Sequence, residues 1–216
     1  NPSFKTYREF GSRVFKAVEL FDPLTDEGGD ILVSVRKGGG RFREDRSFYG
    51  NIVRLNTLTA KEKRVVFNRG DILQFVADRE KIIRIGVAQH GLIRTILHRR
   101  TPESDWEEVY SGDFRTAIAP LGFGKNPDIL YVAAPNGDKK ALFQFDLKAK
   151  KLGRMIFTHP TYDVPAGPPI VSEKTGKVLG VRYEAERRQV YWFDKDYQQY
   201  QAMIDNALPG MANDIK

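Results

Sequence analysis

Few residues in this sequence have the types and spacing that chemistry needs. The three histidines, His90, His98 and His159, have no second histidine or cysteine at metal-ligand spacing, so no zinc site is expected. His98 falls in a predicted strand and reads as a surface or edge histidine. No Gly-x-Ser-x-Gly occurs, which removes the nucleophile elbow of an α/β-hydrolase. Gly38-Gly39-Gly40 lacks the Lys-Ser/Thr of a phosphate-binding loop and reads as a flexible connection, and Gly122 to Gly124 reads as a turn. Asp22, Asp26, Glu27 and Asp30 carry enough charge for a cation but lack EF-hand spacing, so they read as solvated loop carboxylates. Trp106 and Trp192 read as packing residues in strands, not as a stacking platform for bases. With no cysteine, disulfides and thiolate ligands are excluded. No catalytic, cofactor-binding or metal-ligating residue is assigned.

The elements that would have to position any site are short strands. Ile129–Phe157 reads as three of them. Ile129–Ala134 is followed by the turn Pro135-Asn136-Gly137-Asp138, where Asn-Gly tolerates the positive φ of a hairpin. Ala141–Asp146 and Leu152–Phe157 follow. The same stretch occurs elsewhere in the chain. Ile52–Phe67 aligns without a gap on Leu142–Phe157, an offset of 90 residues: apolar strand, Asn or Asp, a lysine-bearing turn, then a strand ending in Phe. Leu55, Leu97, Phe145 and Phe193 occupy one repeat position at steps of 42, 48 and 48 residues. The preceding strands recur around Val33, Ile83, Tyr131 and Gly180.

A period of about 40–50 residues carrying about four strands is the signature of β-propeller blades, which stack because one blade cannot bury both of its faces alone. The expected fold is all-β: a partial β-propeller of about four blades, occupying residues 1–216 as a single domain. Tyr197–Leu208 places Tyr197, Tyr200, Ile204 and Ala207 at helical spacing, with Asp196 as cap and Pro209-Gly210 as stop. Residues 209–216 are expected to start a further blade. An open arc leaves an apolar blade face at each end, so self-association is expected, with two arcs closing one ring.

Composition sets the remaining bounds. Hydrophobic residues make up 41 % of the chain, enough for a substantial core. Lys and Arg number 35 against 28 Asp and Glu, a net charge of +7. The basic residues are scattered, without a basic helix or a basic-aromatic strand motif, so no nucleic-acid partner is expected. No apolar run approaches 18 residues, and no membrane partner is expected. The chain begins at Asn1, without a Met or a signal pattern, and reads as a processed form or a piece of something longer.

Several tracts resemble a known family. Val76-Ala77-Asp78-Arg79 followed by Arg84-Ile85-Gly86-Val87, and Trp106 after a polar turn, resemble the propeller of prolyl oligopeptidase-type serine peptidases. His159-Pro160-Thr161-Tyr162-Asp163-Val164, then Thr175 to Glu184 and the exit Ala207-Leu208-Pro209-Gly210, are similar to the bacterial acylaminoacyl-peptidase-like subgroup. The resemblance covers residues 30–216. It implies a C-terminal α/β-hydrolase domain bearing a Ser, Asp and His triad, none of which these residues contain. It further implies that the propeller segment is non-catalytic and gates or caps the access of short peptides to that domain, in a periplasmic or secreted protein. The alternative is a stand-alone β-propeller that serves as an interaction scaffold.

Overall fold

The computed structural model describes residues 16–24, 28–37, 49–68, 70–211, 213 and 215. Gly38 to Gly40, Asp26 and Glu27 lie outside them. Contacts divide the chain into two compact units, Asn1–Gln74 and Phe75–Lys216.

The first unit holds an antiparallel sheet in sequence order: β1 (Lys16–Asp22), β2 (Asp30–Lys37), β3 (Asn51–Asn56) and β4 (Glu62–Val66). Leu32 and Val33, and likewise Ile52 and Val53, are all buried although neighbours in a strand point to opposite faces, so both faces of this sheet are covered.

The second unit carries the other sheets. One comprises β5 (Ile72–Ala77), which crosses the unit boundary, β6 (Ile83–His90), β7 (Ile93–His98) and β8 (Glu107–Gly112). The next comprises β9 (Ala119–Phe123), β10 (Ile129–Asn136), β11 (Lys139–Asp146) and β12 (Lys151–Phe157). The last has β13 (Ile170–Val171), β14 (Val178–Glu184) and β15 (Arg188–Trp192). Each is an antiparallel meander. Helix α1 (Lys195–Ala207) follows.

The repeat read from the sequence is present strand by strand. Val33, Ile83, Tyr131 and Gly180 lie in the second strand of each sheet, Leu55, Leu97 and Phe145 in the third, and Phe193 directly follows β15. The turns repeat as well. Asn56 Oδ1 accepts from the backbone N–H of Leu58 (3.1 Å) and Thr59 (2.8 Å). Its twin Asp146 accepts from Lys148 (2.9 Å) and Ala149 (2.8 Å). Each turn then closes on a residue with positive φ, Ala60 at 56° and Lys150 at 51°. The side-chain oxygen mimics a backbone carbonyl and thereby fixes the chain reversal.

Stacking of the sheets follows from alternation. In β10 and β11, Leu130, Val132, Phe143 and Phe145 share one face, because Leu130 pairs with Phe145 and Val132 with Phe143. They pack on Ile85, Val87, Ile96 and Val109 of the second sheet. Tyr131 and Leu142 take the opposite face and pack with Val181 of the fourth and with Val164 of the connection between β12 and β13. The third sheet is thus covered on both faces. The β5–β6 turn also reaches the β13–β14 turn: Arg79 donates to the carbonyl oxygens of Ser172 (3.1 Å) and Glu173. Gly176 presses on Lys125 of the β9–β10 turn, where a Cβ would come within 2.8 Å. Equivalent turns of successive sheets therefore converge. Stacked meanders with a shared register and converging turns are the arrangement of propeller blades. The fold is all-β, a partial β-propeller of four blade sheets with one short C-terminal helix.

Some expectations shift. The hairpin places Asn136 in the ladder opposite Lys139, so the two-residue loop is Gly137-Asp138. Gly137 supplies the positive φ, 66°, at the first loop position, as a type II′ turn requires. Thr116 closes a turn on Asp113, whose Oδ1 accepts from its N–H (2.9 Å) and hydroxyl (2.8 Å). Helix α1 is capped by Asp194, not Asp196: the Asp194 side chain accepts from Asp196 N at 3.1 Å. Asp194 stands where Asn56 and Asp146 stand in their sheets, and the same hydrogen-bond habit that closes a turn there starts a helix here. Tyr200 is exposed. The face turned to β15 is Tyr197, stacked on Trp192 at 4.9 Å, with Gln201, which accepts from Trp192 Nε1 (3.3 Å). Among the described residues beyond 208 no strand occurs.

Candidate functional site

The residues singled out for chemistry do not gather. His98 is not an edge residue: it is 5 % exposed, in β7, opposite Glu107 and facing the third sheet. Its edge-like reading failed because the strand covering it comes from a different blade. Nε2 of His98 and Nη2 of the adjoining Arg99 are buried and find no partner among the described residues. Burial lowers the His98 pKa below the ordinary 6.5, helped by the nearby Arg84 and Arg100 cations. Arg99 is otherwise engaged, donating to the carbonyls of Ile83 (2.7 Å) and Pro102 (2.9 Å) and lying 4.9 Å over the Trp106 ring. His159 stacks on Tyr183 at 4.8 Å, and its Nδ1 accepts the N–H of Thr161 at 3.1 Å. His90 is exposed at the β6–β7 turn.

Of the acidic group, Asp30 accepts from Arg54 Nε (2.7 Å) and Asn56 Nδ2 (2.6 Å), which together hold its carboxyl below the usual range. Asp22 accepts the N–H of Leu24 at 2.9 Å. Among the described residues no three His, Cys, Asp or Glu lie close enough together to hold a metal ion. Trp192 is buried as a packing residue, and Trp106 is half-buried between Arg99 and Phe75.

A cleft of about 450 Å³ that joins apolar and polar side chains lies between the third and fourth sheets. Its polar wall is a row that crosses the third sheet. Tyr131 of β10 pairs directly with Gln144 of β11, which puts both side chains on the face toward the fourth sheet. Arg154 continues the row in β12, inside the irregular stretch between the Phe145–Leu152 and Phe143–Met155 pairs. A second irregularity, at Ile156 between the Phe143–Met155 and Leu142–Phe157 pairs, inserts another residue, and Arg154, Met155 and Ile156 all line the cleft. On the side of the fourth sheet stand Lys177, just before β14, Val178 of β14, and Phe193, just after β15.

Local chemistry shapes this row. Gly124 leaves room for the Tyr131 ring, since a Cβ there would lie 2.8 Å from it. Gly180 does the same for Trp192, at 2.8 Å, and so seats the strand that leads into Phe193. Phe193 meets Phe157 edge-on at 5.8 Å, and Phe157 stacks on Tyr191 at 4.3 Å. Lys177 leans on Asp194 at 3.5 Å. Tyr131 Oη, the Gln144 amide and the Arg154 guanidinium have no hydrogen-bond or ion-pair partner among the described residues. The arrangement is an apolar trough with three unengaged polar groups along one wall, which suits binding and supplies no nucleophile with an attendant base.

Sequence reasoning passed over Gln144, Arg154 and Lys177. The available signal was Gln144, a polar residue in the otherwise apolar run Leu142 to Phe145.

No protein-family model matches the chain, and no curated protein matches it. Eighteen chains of solved structures do. One is TolB from Acinetobacter baumannii, 8 % identical, with a TM-score of 0.48 over 84 % of this chain and 50 % of that one. The chain thus spans half the length of that structure.

Proposed function

We propose that this chain is a non-catalytic propeller segment that holds short peptides and gates their access to a separate α/β-hydrolase domain of peptidase type. The observation that carries the reading is the cleft between the third and fourth sheets. Its size, about 450 Å³, is in the range of small-ligand sites, and its lining pairs apolar side chains with unengaged hydrogen-bonding groups. The tracts that resemble peptidase propellers border it: Thr175 to Glu184 includes Lys177 and Val178, and His159 to Val164 follows β12. A periplasmic or secreted location belongs to the same reading, as does the pairing of two arcs into one ring. No helix among the described residues is long and apolar enough to cross a membrane.

The test uses the full chain with methyl-labelled methionine. Met155 lines the cleft, whereas Met203 lies on α1 and Met211 beyond it. Short peptides are expected to shift the Met155 methyl signal and leave the other two in place, and chromogenic peptides and esters are expected to show no turnover. Turnover blocked by a serine-directed inhibitor overturns the non-catalytic assignment. Peptides that leave Met155 unmoved remove the gate and leave the scaffold reading. A clean monomer in light scattering at high concentration removes the paired arcs.

A further inference from the structure

The polar wall of the cleft has a direction, and with it a chemical preference. Tyr131, Gln144 and Arg154 lie on three neighbouring strands, so the row is about 10 Å long, given about 4.8 Å between strands. An extended peptide rises about 3.3–3.6 Å per residue, so the row accommodates about three residues. Its groups differ in charge. The Tyr131 hydroxyl is a neutral donor and acceptor on a residue that lines the cleft and is 8 % exposed overall. The Gln144 amide offers both a donor and an acceptor, the complement of a peptide unit. Arg154 ends the row at the outer strand as a cation with no acidic partner among the described residues. The other cation of the cleft, Lys177, already has Asp194 at 3.5 Å. The cleft therefore carries one uncompensated positive charge, at one end.

We propose that the cleft is a carboxylate-reading site: it takes an extended peptide of about three residues with a carboxylate on Arg154, a peptide unit on Gln144 and an apolar side chain against Ile156, Val178 and Phe193. This rests on the peptide-holding reading above and adds the group that is recognised. A guanidinium fork matches a carboxylate with two parallel hydrogen bonds, which an amidated terminus cannot accept in the same way. Two sources supply a carboxylate, the peptide C-terminus and an acidic side chain. The position of Arg154 at the end of the row favours the C-terminus.

The experiment measures the affinity of the full chain for three probes: acetyl-Gly-Ala-Leu as the free acid, the same peptide as its C-terminal amide, and acetyl-Gly-Glu-Leu amide. The Met155 methyl signal reports occupancy of the cleft. The free acid is expected to bind about tenfold more tightly than its amide, a ratio typical of one solvent-accessible charge-assisted contact. Arg154→Gln, at an exposed position, is expected to erase that ratio, while Arg115→Gln leaves it intact. If the Glu-bearing amide binds as tightly as the acid and also depends on Arg154, the carboxylate site stands and its source is the side chain. Equal binding of acid and amide, with Met155 shifted by both, overturns the carboxylate site and spares the peptide reading. A ratio that survives Arg154→Gln overturns the role of Arg154. Failure of every probe to move Met155 takes down both.

Discussion

The two faces of the third sheet come from the same four strands and differ in almost everything else. The face toward the second sheet is closed: Leu130, Val132 and Phe145 are fully buried, in a cluster with Ile85 and Ile96. The face toward the fourth sheet has a smaller buried cluster, Tyr131, Leu142, Val164 and Val181, and beside it an open cleft lined by Gln144 and Arg154. Alternation assigns each residue to a face, so one strand can build a dry interface and a binding wall at once. Stability is concentrated on the first face and binding capacity on the second.

This contrast can be broken by measurement. Phe145→Ala should cost about 3–5 kcal/mol in urea unfolding, since it opens a large cavity in a fully buried cluster. Ile156→Ala, half-buried on the cleft face, should cost about 1 kcal/mol. Equal costs would dissolve the distinction. Gly180→Ala should cost about 1–3 kcal/mol, because its Cβ meets the Trp192 ring at 2.8 Å and the Tyr191 carbonyl at 2.9 Å.

Acid probes the closed face through His98. Its folded-state pKa lies below 6.5, so the unfolded chain binds the proton first. The contribution of His98 is therefore intact above 6.5, and stability falls as pH drops below that value toward the folded-state pKa. Unfolding free energies measured between pH 7 and 5 should show this slope, and His98→Leu should reduce it. An unchanged slope in the variant would place the acid sensitivity elsewhere.

The smallest effects concern the turns and the cleft wall. Asp146→Ala removes two exposed turn hydrogen bonds and should cost about 1 kcal/mol, and Asn56→Ala, which also removes its bond to Asp30, about 1–2 kcal/mol. A loss in one and none in the other would show that the repeated turn geometry has different weight in its two settings. Gln144→Ala should leave stability within about 0.5 kcal/mol and weaken peptide binding. A larger stability loss would make Gln144 a structural residue.

Strand order, the repeat and its turn chemistry were legible in the sequence, because hairpins are local. Leu55, Leu97, Phe145 and Phe193 mark the period, and Asn56 and Asp146 mark the turns that go with it. Less legible were details set by competition between neighbouring signals. Asp194 and Asp196 both suit a cap, and stacking of Tyr197 on Trp192 accompanies the earlier start. His98 was misplaced because strand pattern alone does not reveal what covers a strand.

The cleft was hardly legible at all. Tyr131, Gln144 and Arg154 belong to different strands, and Lys177 and Phe193 flank strands of a different sheet. The sequence by itself determined which residues form strands, how they pair and which share a face, since these follow from alternation and turn residues within about 50 positions. Only the tertiary structure decided that the second sheet closes one face of the third, that the fourth leaves the other partly open, and that an irregular edge strand turns Arg154 into the gap. Packing between sheets depends on the volumes and shapes of side chains that meet across the interface, and no local pattern encodes them.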